Sequence, residues 1–280
     1  YKNLTVKTRT TLAAYHSYNY LLARENLTDH LSLNEKKNKI RQRFWKIRAK
    51  KVIIATGAME RPLIFNNNDR PGIILSSSIK KYIDYYGVKC GQKISLFTNN
   101  DSAYETAISL NNNDVTVNSI IDIRDKSNSS IVKQAEELGI KIHWKHTVVN
   151  TNGYKRINSI ELMKLSDDGT SVVENKLKEE CDCLGISGGW TPRVHLFTQS
   201  GGKLKFRDKD NVFLPDKSTS EQISIGSCNG DFELDDVIKN SNKLVNKFLN
   251  INSSDYENLE INCSKEIDKK NIWLLPSDKP

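Results

Sequence analysis

The strongest constraint on the fold lies in residues 93–144, where short apolar runs alternate with amphipathic stretches. Residues 93–97 read as a strand and 101–110 as a helix, with Asn100 or Asp101 as its N-cap. Asn111-Asn112-Asn113 stops that helix, and 115–121 reads as the next strand. Residues 129–138 form a second predicted helix, ended by Gly139, and 140–144 a third strand. Strand, helix, strand, helix, strand at this spacing demands a parallel sheet with crossover helices, because parallel neighbours cannot be joined by tight turns.

The flanking sequence has a different texture. Residues 4–11 alternate and are rich in Thr and Val, and 43–48 alternate as their antiparallel neighbour. Residues 51–57 form a continuous apolar run ending in Ala55-Thr56-Gly57, as in a strand buried on both faces. Residues 158–165 and 171–178 read as a hairpin around Asp168-Gly169. Two further strands end in small residues, 183–186 in Ser187-Gly188-Gly189 and 221–225 in Gly226-Ser227, and a helix over 235–249 follows. In open α/β sheets ligands bind beyond the carboxyl ends of the strands, where small residues let backbone approach a nucleotide. The order of these ends predicts an α/β, two-dinucleotide-binding-domain fold, of the pyridine nucleotide-disulfide oxidoreductase type, with an incomplete first domain. Residues 1–88 and 190–250 are assigned to that first domain, 89–189 to a second domain inserted into it, and 251–280 to a linker.

Composition excludes several functions. The net charge of +8 comes from Lys spread along the chain, and the dense patch at 36–43 reads as a solvated loop between strands. No nucleic-acid motif surrounds it, so no nucleic-acid partner is expected. No run approaches the roughly 18 apolar residues of a membrane span, so no membrane partner is expected. The chain opens on Tyr1 without a signal peptide, and its five Cys are odd in number without a CxxC pair, which fits a reducing cytoplasm. Cys181 and Cys183 are expected on one face of a strand as small hydrophobes. The five His are scattered, and no metal site or catalytic constellation is expected.

Five motifs carry a resemblance to a known family. They are Ala55-Thr56-Gly57-Ala58-Met59-Glu60-Arg61-Pro62-Leu63, Asn68-Asp69-Arg70-Pro71-Gly72-Ile73, Phe97-Thr98-Asn99-Asn100-Asp101-Ser102-Ala103-Tyr104, Ser187-Gly188-Gly189-Trp190-Thr191-Pro192-Arg193-Val194-His195-Leu196 and Gln199-Ser200-Gly201-Gly202-Lys203-Leu204. In sequence and order they resemble the alpha subunits of heterotetrameric sarcosine oxidases. The resemblance implies NAD bound in this subunit, FAD and FMN in a partner beta subunit, and gamma and delta subunits completing the complex. It also implies oxidative demethylation of sarcosine to glycine, with the one-carbon unit passed to tetrahydrofolate. The family's amino-terminal glycine fingerprint and its aminomethyltransferase-like region are missing here. The chain is therefore expected to be an internal piece that, alone, neither oxidises sarcosine nor holds NAD tightly.

Carried onto this sequence, the resemblance implies cofactor contacts at Thr11, Leu12, Ala55, Thr56, Gly57, Gly226, Ser227, Phe232 and Leu234. Ser227 stands where many flavoproteins carry an Asp for the flavin ribityl chain, a change that suits NAD. The turn Thr98-Asn99-Asn100-Asp101 has no Gly, and Asp101 would oppose a phosphate, so the second domain is expected to hold no dinucleotide. The alternative is a self-contained FAD/NAD(P)-dependent reductase or dehydrogenase acting on another amine.

Overall fold

The computed structural model describes residues 2–251 and 269–278, and these divide into two compact units: 2–58 with 192–251, and 59–191 with 269–278. Cys263 and most of the expected linker lie outside the described residues. The first unit opens with β1 (Thr10–His16), β2 (Tyr20–Asn26), a short helix α1 (Leu33–Lys36) and β3 (Gln42–Arg48). The three strands form an antiparallel sheet in the order β1-β2-β3. The strand expected at 4–11 thus begins only at Thr10, and Leu4 and Val6 are 63% and 70% exposed. Both it and 43–48 pair with β2 rather than with each other. The basic patch does sit in the connection, where a capping box between Ser32 and Glu35 starts α1. β4 (Val52–Ile54) then leads into Ala55-Thr56-Gly57.

The second unit carries β5 (Ala58–Glu60), β6 (Ile73–Leu75), α2 (Ser76–Tyr86), β7 (Ile94–Thr98), α3 (Ser102–Asn112), β8 (Val117–Asp122), α4 (Ser130–Glu137) and β9 (Ile142–Trp144). Three antiparallel strands follow, β10 (His146–Gly153), β11 (Ile157–Leu165) and β12 (Val172–Glu180), then β13 (Cys183–Ser187) and β14 (Trp190–Pro192), which pairs with β5. The expected three-stranded parallel core is present as β7, β8 and β9, inside a five-stranded sheet of order β6-β13-β7-β8-β9. Because β6 pairs with β13 and leads into α2, this unit begins at Met59, thirty residues before the expected boundary.

Both faces of the sheet are covered, so β7 is buried throughout and β8 at every residue but Asn118. Ile94, Leu96 and Ile120 face α2, α3 and α4, while Phe97, Ile121 and Ile123 face β10 and β11. Cys181 and Cys183 fall in these two opposite clusters, not on one face, since the strand starts only at Cys183. Burial pushes the Cys181 thiol up to about 11 and the Cys183 thiol to about 12, as expected of packed, unreactive sulfurs. Residues 269–278, expected as linker, pack on this unit, and Leu275 is buried in its core.

The chain returns to the first unit with α5 (His195–Gln199), the hairpin β15 (Lys203–Arg207) and β16 (Val212–Lys217), β17 (Gln222–Ser224) and α6 (Leu234–Leu249). β17 pairs in parallel with β4. Among the described residues this sheet has two strands, and Ile53 is 40% exposed although its run reads as buried on both faces. No helix among the described residues is long and apolar enough to cross a membrane.

Candidate functional site

The parallel register of β4 and β17, Val52 against Gln222 and Ile54 against Ser224, brings their carboxyl ends side by side. Ala55-Thr56-Gly57 and Gly226-Ser227 therefore leave neighbouring strands in the same direction, although Ile225 lies 168 positions after Gly57. The amide of Ile225 donates to the Ile54 carbonyl at 2.9 Å, and the Cys228 thiol reaches the same oxygen at 3.3 Å. At the other ends of the strands the buried Asn19 carboxamide donates to the carbonyls of Lys50 and Glu221 at 3.1 and 3.0 Å. Its own oxygen accepts the Tyr15 hydroxyl at 2.7 Å, and burial raises that phenol to about 12.

Both turns need glycine for their backbone. Gly57 has φ +70° and Gly226 φ +67°, the left-handed region that side chains disfavour. A Cβ on Gly57 would meet nothing within 4 Å, so the turn faces open space. The Gly57 turn is held from behind: Thr56 Oγ1 donates to the Arg193 carbonyl at 2.8 Å, and the Arg193 amide to the Gly57 carbonyl at 3.0 Å. The Gly226 turn continues as a 3₁₀ turn to Asn229, closed by the Gly230 amide on the Ser227 carbonyl at 3.2 Å. Arg207 from β15 donates to the Gly230 carbonyl at 2.9 Å and fixes the loop. The half-buried Ser227 hydroxyl has no hydrogen-bond partner among the described residues.

The other expected contacts divide. Leu12 packs with Ile54, Cys228, Tyr15 and Phe197 in the cluster beneath the two strand ends. Thr11 alternates to the exposed face of β1 and stays out of that cluster. Phe232 is half-buried, and Leu234, the first residue of α6, is 56% exposed. The amino terminus of α6 is acidic, with Glu233 at the N-cap and Asp235 and Asp236 in the first turn. Burial, with the charge of Asp236 adding to it, holds the Asp231 carboxyl above its ordinary range. This helix end thus satisfies its dipole with the chain's own carboxylates, which weakens it as a phosphate site and leaves the two glycine turns as the close approach for a ligand. Asn19, Arg193 and Arg207 escape sequence reasoning. They act through backbone carbonyls far away in sequence, and only Asn19, at φ +51° between two tyrosines, leaves a turn-like trace.

In the second unit the corresponding strand ends are filled with charge. Arg124, 4% exposed, pairs with Asp122 at 2.7 Å and with Asp101 at 2.8 Å, and Tyr104 donates to Asp122 at 2.8 Å. Burial raises the Asp122 carboxyl against the opposing pull of Arg124. The α3 amino terminus is capped by Asn100, whose Oδ1 accepts from the Ser102 amide at 2.9 Å, and Asp101 makes no capping bond. Among the described residues no group of three His, Cys, Asp or Glu side chains is placed to hold a metal.

No family model matches the sequence. Curated relatives do. The sarcosine oxidase subunit alpha of Corynebacterium sp. (strain P-1) is 34% identical over 227 residues, 80% of this chain. The same subunit of Rhizobium meliloti (strain 1021) is 32% identical over 218 residues, 76% of this chain. The chain is related to the sarcosine oxidase alpha subunits. It spans 23% of the Corynebacterium sarcosine oxidase alpha subunit and 20% of the Rhizobium one. Several solved structures share the dinucleotide-binding fold of this chain. The flavoprotein disulfide reductase RclA from Escherichia coli aligns with a TM-score of 0.56 at 14% identity, covering 86% of this chain and 50% of its own. Thioredoxin reductase from T. acidophilum aligns at 0.54 and 15% identity, covering 80% of this chain and 67% of its own. L-proline dehydrogenase from P. horikoshii aligns at 0.52 and 18% identity, covering 88% and 42%.

Proposed function

We propose that this chain is the dinucleotide-binding part of a sarcosine oxidase alpha subunit and that the dinucleotide is NAD. The observation that carries this is the pair of glycine turns, Gly57 and Gly226, at the ends of adjacent parallel strands, in a chain related to those subunits. Gly57 would line the pyrophosphate, Ala55 and Thr56 set its turn, and Leu12 would meet the adenine through its backbone, with Thr11 beside it. Gly226, Ser227, Phe232 and Leu234 would wall the far end. Ser227, a neutral hydroxyl with no partner among the described residues, supports NAD over FAD, because no carboxylate stands there to hold a ribityl chain. Redox chemistry is assigned to FAD and FMN in a partner beta subunit, in a complex completed by gamma and delta subunits. The reaction is the oxidative demethylation of sarcosine, with the one-carbon unit passed to tetrahydrofolate. This chain contributes binding and assembly, not catalysis, and its compartment is the cytoplasm.

The test is the full-length protein, purified with the partners that accompany it. Nucleotide released by acid is expected to be NAD, in about one copy per alpha subunit, with the flavins retained on another subunit. Gly57→Ala should strain the backbone by about 1–2 kcal/mol without a clash and lower NAD content at least tenfold. FAD released from the alpha subunit, or unchanged NAD in the variant, would reject the assignment. Oxidation of a different amine with sarcosine inert would favour the reductase or dehydrogenase reading.

A further inference from the structure

The five-stranded sheet of the second unit has a switch point. From β7 the chain moves outward through α3 to β8 and through α4 to β9, whereas β13 lies on the other flank of β7. The crevice beyond the carboxyl ends of β7 and β13 is where an open parallel sheet takes a ligand. Here it is lined by Asn99 and Asn100 after β7 and by Gly188 after β13. The two ends are tied together: the Asn99 amide donates to the Ser187 carbonyl at 3.3 Å, and Asn100 Nδ2 reaches the same oxygen at 3.1 Å.

Residues 269–275 of the same chain lie in this crevice in extended form. The Lys270 amide donates to the Asn99 carbonyl at 2.8 Å, and the Asn99 carboxamide returns bonds to the carbonyls of Lys270 and Ile272 at 2.9 and 3.1 Å. Lys269 forms an antiparallel bridge with Asn100. The Trp273 indole donates to the Gly188 carbonyl, and the Arg61 guanidinium lies 4.5 Å from the centre of its ring. Ile64 clasps the segment from the other side, donating to the Trp273 carbonyl at 2.7 Å and accepting from the Leu275 amide at 3.0 Å. Leu274 points outward at 73% exposed, while Leu275 is buried with Leu63, Phe65 and Phe97. A Cβ on Gly188 would stand 2.9–3.0 Å from the carbonyls of Pro62 and Arg61 and from Trp273 Cδ1. The glycine that would admit a pyrophosphate admits an indole instead.

We propose that the switch-point crevice of the second unit is a peptide-binding site whose ligand is the chain's own Lys269–Leu275 segment, seated in place of a dinucleotide. Main-chain pairing through Asn99 and Ile64 supplies the bonds, and Trp273 and Leu275 supply the anchors, as in strand-addition recognition. Charge supports the exchange of ligand: behind the crevice Arg124 is engaged by two carboxylates, Asp101 and Asp122, an environment hostile to a diphosphate. The motif residues Asn99, Asn100 and Gly188 thereby acquire a role that nucleotide binding does not give them.

Amide hydrogen exchange on the full chain is the deciding experiment. The amides of Lys270 and Leu275 are expected to exchange at least a hundredfold slower than in a free peptide of residues 269–278. Coil-like exchange at Lys270 and Leu275 would overturn the proposal without any variant. In the full-length Trp273→Ala/Leu275→Ala chain, the same peptide, labelled and added in trans, should bind at least tenfold more tightly than it does to the wild type, whose crevice is filled. Adding Asn99→Ala should abolish that gain. Protection of Leu96 and Ile120 reports whether each variant keeps its sheet. NADH or NADPH displacing the peptide from the emptied crevice would show a nucleotide site and refute the assignment.

Discussion

Asn19 is the residue on which the first unit's site depends most. Its carboxamide ties the carbonyls that precede β4 and β17, and so sets the register that puts Gly57 beside Gly226. Asn19→Ala removes both donors from buried acceptors, at a cost of about 2 kcal/mol, and adds backbone strain because φ is +51°. Asn19→Gly relieves only the strain, so it should recover about 1 kcal/mol of the loss. Equal urea midpoints for the two variants would show that the backbone term is absent. Glu60 offers a test by pH. Burial raises its carboxyl, while the Ser77 amide and hydroxyl and the Ser187 hydroxyl pull it part of the way back. A folded-state value above the unfolded one means that the charged form costs stability at neutral pH, and that the cost fades as pH falls through the raised value towards 4.5. Glu60→Gln should therefore gain on the wild type at pH 7 and lose that gain near pH 4, in paired thermal melts. A difference independent of pH would refute it.

Among elements, β4 departs from its sequence pattern, whereas α3 follows it. The apolar run of β4 reads as buried on both faces, yet Ile53 is exposed and none of the α6 side chains is buried, because the β4–β17 sheet has only two strands among the described residues. Helix α3 is started by Asn100, which leaves Asp101 for the ion pair with Arg124. The two members of that group should respond differently. Arg124→Met strands two buried carboxylates and should cost about 3–5 kcal/mol. Asp101→Asn leaves the neutral Asp122–Arg124 pair intact and should cost less than half as much. Denaturant midpoints within error of each other would mean that Arg124 anchors the network no more than Asp101 does.

Across the whole molecule, the two units use one sheet architecture for different ends. In the first, both strand ends turn on left-handed glycines, and Gly57 faces open space. In the second, the equivalent place is taken by an ion network and by residues 269–275. Nucleotide titrations of the full-length protein should therefore find one dinucleotide per chain, removed by Gly57→Ala and unaffected by Asn99→Ala. Loss of the nucleotide with Asn99→Ala and not with Gly57→Ala would reverse the two assignments.

Local signals were enough to read the alternation of residues 93–144, the small residues that end β4, β13 and β17, and the missing glycine after β7, because strand period, helix period and turn chemistry are all written within a few neighbouring residues. The kinship with sarcosine oxidase alpha subunits was legible as well, since its motifs are contiguous. Distant pairings were not legible. The insertion of β2 between β1 and β3, the capture of β6 and α2 by the second sheet, the split of Cys181 and Cys183 onto opposite faces, and the docking of Trp273 on Gly188 all join groups far apart in the chain or turn on where a strand begins. Such contacts are chosen by which arrangement buries the most apolar surface while pairing every buried amide and carbonyl, a condition satisfied only by the folded chain as a whole.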